Sequence, residues 1–527
     1  MERGPGGTPS KRFVASLDVG TTNVRCCVYD KEGNLVASSS KQLEILSPEL
    51  FASQFSPDHV WHTVVSVVAR CIADSNGNVT AQDIAALGIC THRNTFLVWD
   101  RKSGKPLHDF ITWKDNRPTH VTDRLNSMLP IKAIRLISAI LYFFTRSNYF
   151  MLGKIIKFYN AMVVTRLIWL FERYPKLREG VVDGSVVYGG LESWLLQKFS
   201  MGKVTTSVTD ISLASTTGML DPFAVDWSYH LLRLIGAPLE ALPTLRDTTY
   251  HFADCDPTLF GASIPITAIM GDQSAAAYGT GCTRGGNVMM SMGTGAFIDV
   301  NTGSKAHTSM HGLYPVIGWR VDGAVTYFAE AHCHDMATAI HWAQSIGLFD
   351  DVADTAGIAS FVDDSGGVYF VPAFNGVQAP INDPHACTAF MGMTESSSRH
   401  QLVRAVLESV VFRLYQIYEV MLSEIRFDIN LIRVCGGVSL NDFICATIAT
   451  LCDRAVERVK YPQFSASFGV AFLAGTGVEF WKPNSQVRDY VPIDRVFQPG
   501  GAQERAKLFS TYTQWKRAME RTLKWYS

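Results

Sequence analysis

Two stretches far apart in the chain share one arrangement of apolar and polar positions. Arg12-Phe13-Val14-Ala15-Ser16-Leu17 runs into Asp18-Val19-Gly20-Thr21-Thr22, an alternating segment 24–29 leaves it, and Lys31-Glu32-Gly33-Asn34 follows as a turn. Val288-Met289-Met290-Ser291-Met292 runs into Gly293-Thr294-Gly295-Ala296-Phe297, segment 297–300 leaves it, and Asn301-Thr302-Gly303 turns again. β-rich runs around residues that tolerate positive φ predict strand, tight turn, strand in both places, as an internal duplication would. Further strands are expected at 84–90, 94–99, 264–269, 367–374 and 431–435, and helices at 164–171, 274–278, 401–425 and one running through Cys452, capped within Ser439-Leu440-Asn441-Asp442. Val403, Val406, Val410, Leu414 and Ile417 recur at helical spacing and read as core. Strands alternating with helices predict an α/β protein. We expect a tail at 1–11, an N-terminal domain at 12–270, a C-terminal domain at 271–490 and a helical extension at 491–527.

Composition narrows the functional classes. The chain has 527 residues, 47% hydrophobic and 18% charged, with a net charge of -1, so no strong field draws it to nucleic acid. Its 11 cysteines are scattered and include adjacent Cys26 and Cys27, which suits reduced thiols and a cytoplasmic location. The apolar run 136–144 is too short for a bilayer of about 30 Å, so no transmembrane segment is expected there. The wider stretch 131–157 mixes apolar residues with Lys132, Arg135, Arg146, Lys154 and Lys157. It is either a helix docked on its own domain or a peripheral membrane contact.

Several motifs carry candidate chemistry. A hairpin tip of glycine and threonine offers N–H and O–H donors to phosphate, although one such tip alone is ordinary turn chemistry. No Gly-Lys-Ser or Gly-Lys-Thr occurs, so the P-loop pattern is absent. Gly436-Gly437 before a helix is a further nucleotide-type site. Asp272, in Met270-Gly271-Asp272-Gln273, sits at a strand-to-helix junction, either as an N-cap or as a general base. Arg93 in Thr91-His92-Arg93-Asn94, and Trp113 in Ile111-Thr112-Trp113-Lys114-Asp115, suit a small hydroxylated molecule. Ala331-His332-Cys333-His334-Asp335 looks metal-like, but on a helix residues two apart point away from each other, so His332 and His334 are not expected to chelate together.

Taken together with Phe370-Val371-Pro372-Ala373-Phe374, Ala379-Pro380, Asp383-Pro384 and Gly436-Gly437-Val438-Ser439-Leu440-Asn441, these motifs resemble those of the FGGY carbohydrate kinases, glycerol kinases above all. The resemblance runs from Phe13 to about Trp481. It implies a two-domain actin-like (ribonuclease H-like) sugar kinase fold with an interdomain active-site cleft, using ATP and Mg2+ to phosphorylate a small polyol. Position by position, it implies Asp272 as catalytic base and Asp18 as the magnesium ligand. Thr21, Arg25, Gly293, Thr294, Gly437 and Asn441 would serve the nucleotide, and Arg93, Asn94, Trp113, Asp272, Gln273 and Phe297 the substrate. Three positions depart from glycerol kinases, which have Arg-Glu at Arg93-Asn94, Gln at Val19, and a substrate tyrosine that falls on Ala161, with Tyr159 nearby. Another sugar or sugar alcohol as substrate, a catalytically weak nucleotide-binding regulator, and a homo-oligomer stay open on this reading.

Overall fold

The computed structural model describes residues 11–75, 77–425, 428–482 and 486–526. Of the expected tail, residues 1–10 lie outside the described residues. The chain forms two compact units, which are discontinuous in sequence. The first comprises Met1–Gly279, Val316–Tyr327 and Ala466–Tyr490, and the second Thr280–Pro315, Phe328–Ser465 and Val491–Ser527. A single cut at 270/271 does not contain this division.

The first unit is built on a six-stranded sheet in the order Thr249–Cys255, Ile264–Gly271, Ile84–Thr91, Phe13–Val19, Asn23–Tyr29, Leu35–Gln42. Phe13–Val19 and Asn23–Tyr29 form the expected antiparallel hairpin. Phe13–Val19 then pairs in parallel with Ile84–Thr91, which pairs in parallel with Ile264–Gly271. Every residue of Phe13–Val19 and Ile84–Thr91 is buried, which is why these strands read as nearly continuous apolar runs. Helix Pro57–Ala73, capped by the Ser56 side chain accepting from the His59 N–H, packs on the hairpin side.

The second unit repeats this plan. Asn287–Met292 and Ala296–Gly303 form an antiparallel hairpin; Asn287–Met292 pairs in parallel with Leu431–Cys435, which pairs in parallel with Val456–Val459. In each unit a hairpin is therefore followed by two parallel neighbours, and of this plan the paired sequence pattern anticipates the hairpin. The anticipated helix at 401–425 is Arg399–Glu424, opened by a Ser398/Gln401 capping box, and Val403, Val406, Val410, Leu414 and Ile417 are all buried. The end of the chain adds both an edge strand, Ile493–Phe497, and helix Ala502–Glu520, whose Trp515 Nε1 donates to the Phe370 carbonyl at 2.7 Å. All eleven cysteines are free and buried.

Two features of the first unit yield predictions. A Cβ on Gly88, in the middle of the sheet, would lie 2.4 Å from the Val470 carbonyl oxygen, so this strand admits the helix above it only where a side chain is missing. Gly88→Ala should lower unfolding free energy by about 1–3 kcal/mol, read from urea midpoints at unchanged m-value. Glu192, in helix Leu191–Phe199, is buried and accepts from Thr209 Oγ1 at 2.7 Å; burial pushes its pKa up to about 7. The folded state thus holds this carboxyl protonated, a contribution that is full below the ordinary glutamate pKa and is lost as pH rises through the folded value. Thermal melts should show the wild type losing Tm between about pH 5 and pH 8 relative to Glu192→Gln, which keeps the acceptor for Thr209 without the charge.

Candidate active site

The parallel strands of the first unit end side by side, and their carboxyl ends carry residues singled out in the sequence. Asp18 is the penultimate residue of Phe13–Val19, His92-Arg93-Asn94 follows Ile84–Thr91, and Asp272 follows Ile264–Gly271 directly. In register, Asp18 lies opposite Cys90, and Cys90 opposite Met270. The Cys90 thiol is pushed well up, first by burial and then by the charges of both Asp18 and Asp272. The aliphatic stem of Arg93 lies over Gly271, where a Cβ would meet its Cγ at 3.1 Å. Asp18, Arg93 and Asp272 are therefore neighbours at one sheet edge, the usual ligand-binding end of such sheets.

Each is held differently. Asp18 faces Arg25 across the hairpin at 3.6 Å; burial raises its pKa, and the Arg25 charge pulls it back. Asp272 is the first residue of helix Asp272–Gly279 and accepts from the Gln273 N–H at 2.8 Å. Gln273 Oε1 is buried with no hydrogen-bond partner among the described residues, an acceptor beside Asp272 that a ligand hydroxyl would satisfy. His92 is structural: its Nδ1 donates to the Val19 carbonyl at 2.9 Å and its Nε2 pairs with Thr95 Oγ1 at 2.8 Å. Burial lowers its pKa to about 4, so it stays neutral.

The loop carrying Trp113 is tied down by residues the sequence did not flag for this role. Arg166 is fully buried in helix Val163–Arg173 and donates to the carbonyls of Ile111, Thr112, Asn160 and Ala161. Asp115 receives Arg117 and the Ser53 N–H. Trp113 Nε1 in turn donates to Thr21 Oγ1 at 3.0 Å, joining the first glycine-threonine turn to the proposed substrate wall. Asn94 adopts φ 64°, a left-handed conformation that asparagine tolerates well, and accepts from Thr216 Oγ1 at 3.0 Å beside a pocket lined by Tyr188, Glu192 and Trp227. Tyr159 is exposed, with the Lys157 ammonium 5.3 Å from its ring centre.

Behind Asp272 lies a second unflagged element. Asp210 accepts from Ser212 Oγ at 2.7 Å, from Thr248 Oγ1 at 2.8 Å and from the Leu213 N–H, while Ser212 Oγ accepts from the Gly271 N–H at 2.9 Å. This chain fixes the backbone one residue before Asp272. Burial raises the Asp210 pKa to about 6.

In the second unit, Gly293-Thr294-Gly295 forms the tight end of its hairpin, with Gly293 N–H donating to the Gly295 carbonyl at 2.9 Å and Thr294 exposed. Gly436 has φ 85°, and a Cβ there would lie 2.3 Å from the Met292 carbonyl, so Gly436 packs directly behind this hairpin. Gly437 is open to solvent. Asn441 caps helix Asp442–Cys452 through Ile444 N and donates to Thr355 Oγ1 at 2.9 Å. Phe297 lies 5.8 Å from the His332 ring. The helical reading of His332 and His334 does not hold. His332 is in strand Ala324–Cys333, and the two rings are 4.9 Å apart, because side chains two apart in extended backbone share a face. Tyr314 bridges His332 to Glu330, and no group of three or more potential metal ligands occurs among the described residues.

Comparison with known proteins agrees with this geometry. Residues 13–279 match the N-terminal domain, and residues 288–478 the C-terminal domain, of the FGGY family of carbohydrate kinases. The chain is similar to glycerol kinase 5 of Danio rerio, 40% identical over 524 residues, covering 98% of each chain. It is also similar to glycerol kinase 2 of Thermotoga maritima, at 32% identity over 98% of this chain and 99% of the other. Among solved structures, glycerol kinase of Plasmodium falciparum with ADP superposes with a TM-score of 0.86 at 25% identity, covering 98% of this chain and 99% of that one. The fold is accordingly the two-domain, actin-like sugar kinase fold. With both domain patterns matched and relatives of this identity spanning nearly its whole length, the chain belongs to the FGGY family of carbohydrate kinases.

Proposed function

We propose that this kinase transfers the terminal phosphoryl group of ATP to a primary hydroxyl of glycerol, giving glycerol 3-phosphate and ADP. The observation that carries the reading is the convergence of Asp18, Arg93 and Asp272 at the carboxyl ends of three adjacent parallel strands. The names of the relatives supply the substrate. Asp272 takes the proton of the attacking hydroxyl as the new O–P bond forms and the bond to ADP breaks. The Arg93 guanidinium orients the other hydroxyls, Gln273 Oε1 accepts from one of them, and Trp113 supplies the apolar wall.

Thr21, Arg25, Gly293 and Thr294 serve the phosphates by charge and by N–H and O–H donation, and Gly437 and Asn441 serve the adenosine end. Gly437 suits that role because no atom crowds the place of its missing side chain. Asp18 fits magnesium: it is a hard oxygen donor, and magnesium usually binds through one or two carboxylates together with substrate phosphates. When bound, the ion neutralises charge on the transferring group.

ADP release in the presence of glycerol and MgATP tests this reading. Asp272→Asn should lower kcat by about 10²–10⁴-fold with little change in melting temperature. An unchanged rate removes Asp272 as the base. Arg93→Ala should raise KM for glycerol by about tenfold or more, as expected for loss of a charged hydrogen-bond donor.

A second reading, a different small polyol or sugar, is favoured by Asn94. A neutral amide stands where glycerol kinases carry an anion, and its oxygen already accepts from Thr216. A panel of polyols and sugars decides between them: glycerol should give the highest kcat/KM, and a clear preference for a pentitol or ketose would replace it.

A further inference from the structure

Helix Leu129–Thr145 in the first unit is amphipathic the wrong way round for a helix docked on its own domain. Its inward side includes the buried Ile131 and Ser138, and Ser138 sits against the following helix, Asn148–Ile155, where a Cβ on Gly153 would meet Ser138 Oγ at 2.3 Å. Its outward stripe is apolar. Leu129, Leu136, Ile137, Ile140, Phe143 and Phe144 are exposed, Leu129 by 80% and Phe144 by 76%. At 3.6 residues per turn they cover an arc of about 120°, the width of stripe that a surface helix normally buries.

The charge around this stripe is one-sided. No Asp or Glu occurs from residue 124 to 171, although the whole chain has a net charge of -1. Lys132, Arg146 and Lys157 are exposed and Lys154 is half-buried, while Arg166 is buried and Arg135 is engaged with the Asn126 and Ile156 carbonyls. The Arg146 guanidinium lies 5.6 Å from the Tyr142 ring centre, and the Lys154 ammonium 5.4 Å from the same ring. Exposed aliphatic and aromatic side chains ringed by cations, with no acid among them, match a sheet of anionic headgroups over hydrocarbon. A protein interface is the poorer match, since such interfaces are depleted in lysine.

Among the described residues no single helix is long and apolar enough to cross a membrane. Seventeen residues rise about 25 Å against a hydrocarbon thickness of about 30 Å, and the preceding helix Thr119–Ser127 is bent from this one by 54°. We propose that the outward face of Leu129–Thr145, with its basic rim, lies in the surface of a membrane containing anionic phospholipid and anchors this kinase there reversibly.

The test is flotation of the full chain with vesicles of phosphatidylcholine alone and with about one-fifth phosphatidylserine. The protein should float with the anionic vesicles and not the neutral ones. Ile140→Glu with Phe144→Glu, both at exposed positions, should lower the vesicle-bound fraction by about tenfold or more while Tm and ADP release stay at wild-type values. A second variant, Lys132→Gln with Arg146→Gln, Lys154→Gln and Lys157→Gln, should lose the preference for phosphatidylserine by a similar factor and reads the same proposal independently of the apolar changes. Absence of flotation with either vesicle overturns the proposal, as does wild-type flotation of both variants. Equal flotation on neutral vesicles overturns the choice of anionic lipid. A concentration-dependent dimer in sedimentation velocity, abolished by Ile140→Glu with Phe144→Glu and unaccompanied by vesicle binding, assigns the face to a second copy of the chain and overturns it too.

Discussion

The register of three parallel strands governs the chemistry of the first unit. Phe13–Val19, Ile84–Thr91 and Ile264–Gly271 are hydrogen-bonded neighbours, and the first two are buried along their entire length. Side chains alternate faces along a strand, so a slip of one residue would carry Asp18 to the opposite side and bring Asp272 out of line with Arg93. Burial on both faces makes such a slip costly. The acidic and basic groups at the strand ends therefore owe their mutual placement to the apolar residues behind them more than to contacts of their own.

Rigidity is then reinforced by a few fully engaged polar groups. Arg166 ties the carbonyls of Ile111, Thr112, Asn160, Ala161 and Met162 from inside a buried stretch of its helix, and neutral His92 joins the ends of two strands. The line from Asp210 through Ser212 to the Gly271 amide holds the backbone from which Asp272 projects. Each would be expensive if left unpaired in this setting, and each is paired. The proposed role of Asp272 as a base calls for a supporting shell of this kind to keep its orientation.

The parts legible in the sequence are those encoded locally. Both hairpins, the strands expected at 84–90, 264–269 and 431–435, the long helix with its valine and leucine stripe, and a cap within 439–442 all follow from period, turn chemistry or capping within a dozen residues. What escaped depends on partners far along the chain. Nothing near Gly88 announces that the Val470 carbonyl will press against it, nor does an arginine amid Val164, Thr165, Leu167 and Ile168 reveal which carbonyls it will find. The same distance hides the return of 316–327 and 466–490 to the first unit. His332 and His334 were misjudged for another reason: a short mixed run does not distinguish strand from helix, and the two geometries give opposite answers for residues two apart.

One property of the interior bears on how the molecule can be handled. Every sulfhydryl is enclosed, and those of Cys27, Cys255, Cys435 and Cys445 are pushed up to about 12 by burial, so scarcely any nucleophilic thiolate is presented to solvent. The native protein is thus a silent background for maleimide chemistry. A single cysteine introduced on its surface would carry a dye or spin label alone, with no need to strip out the natural ones.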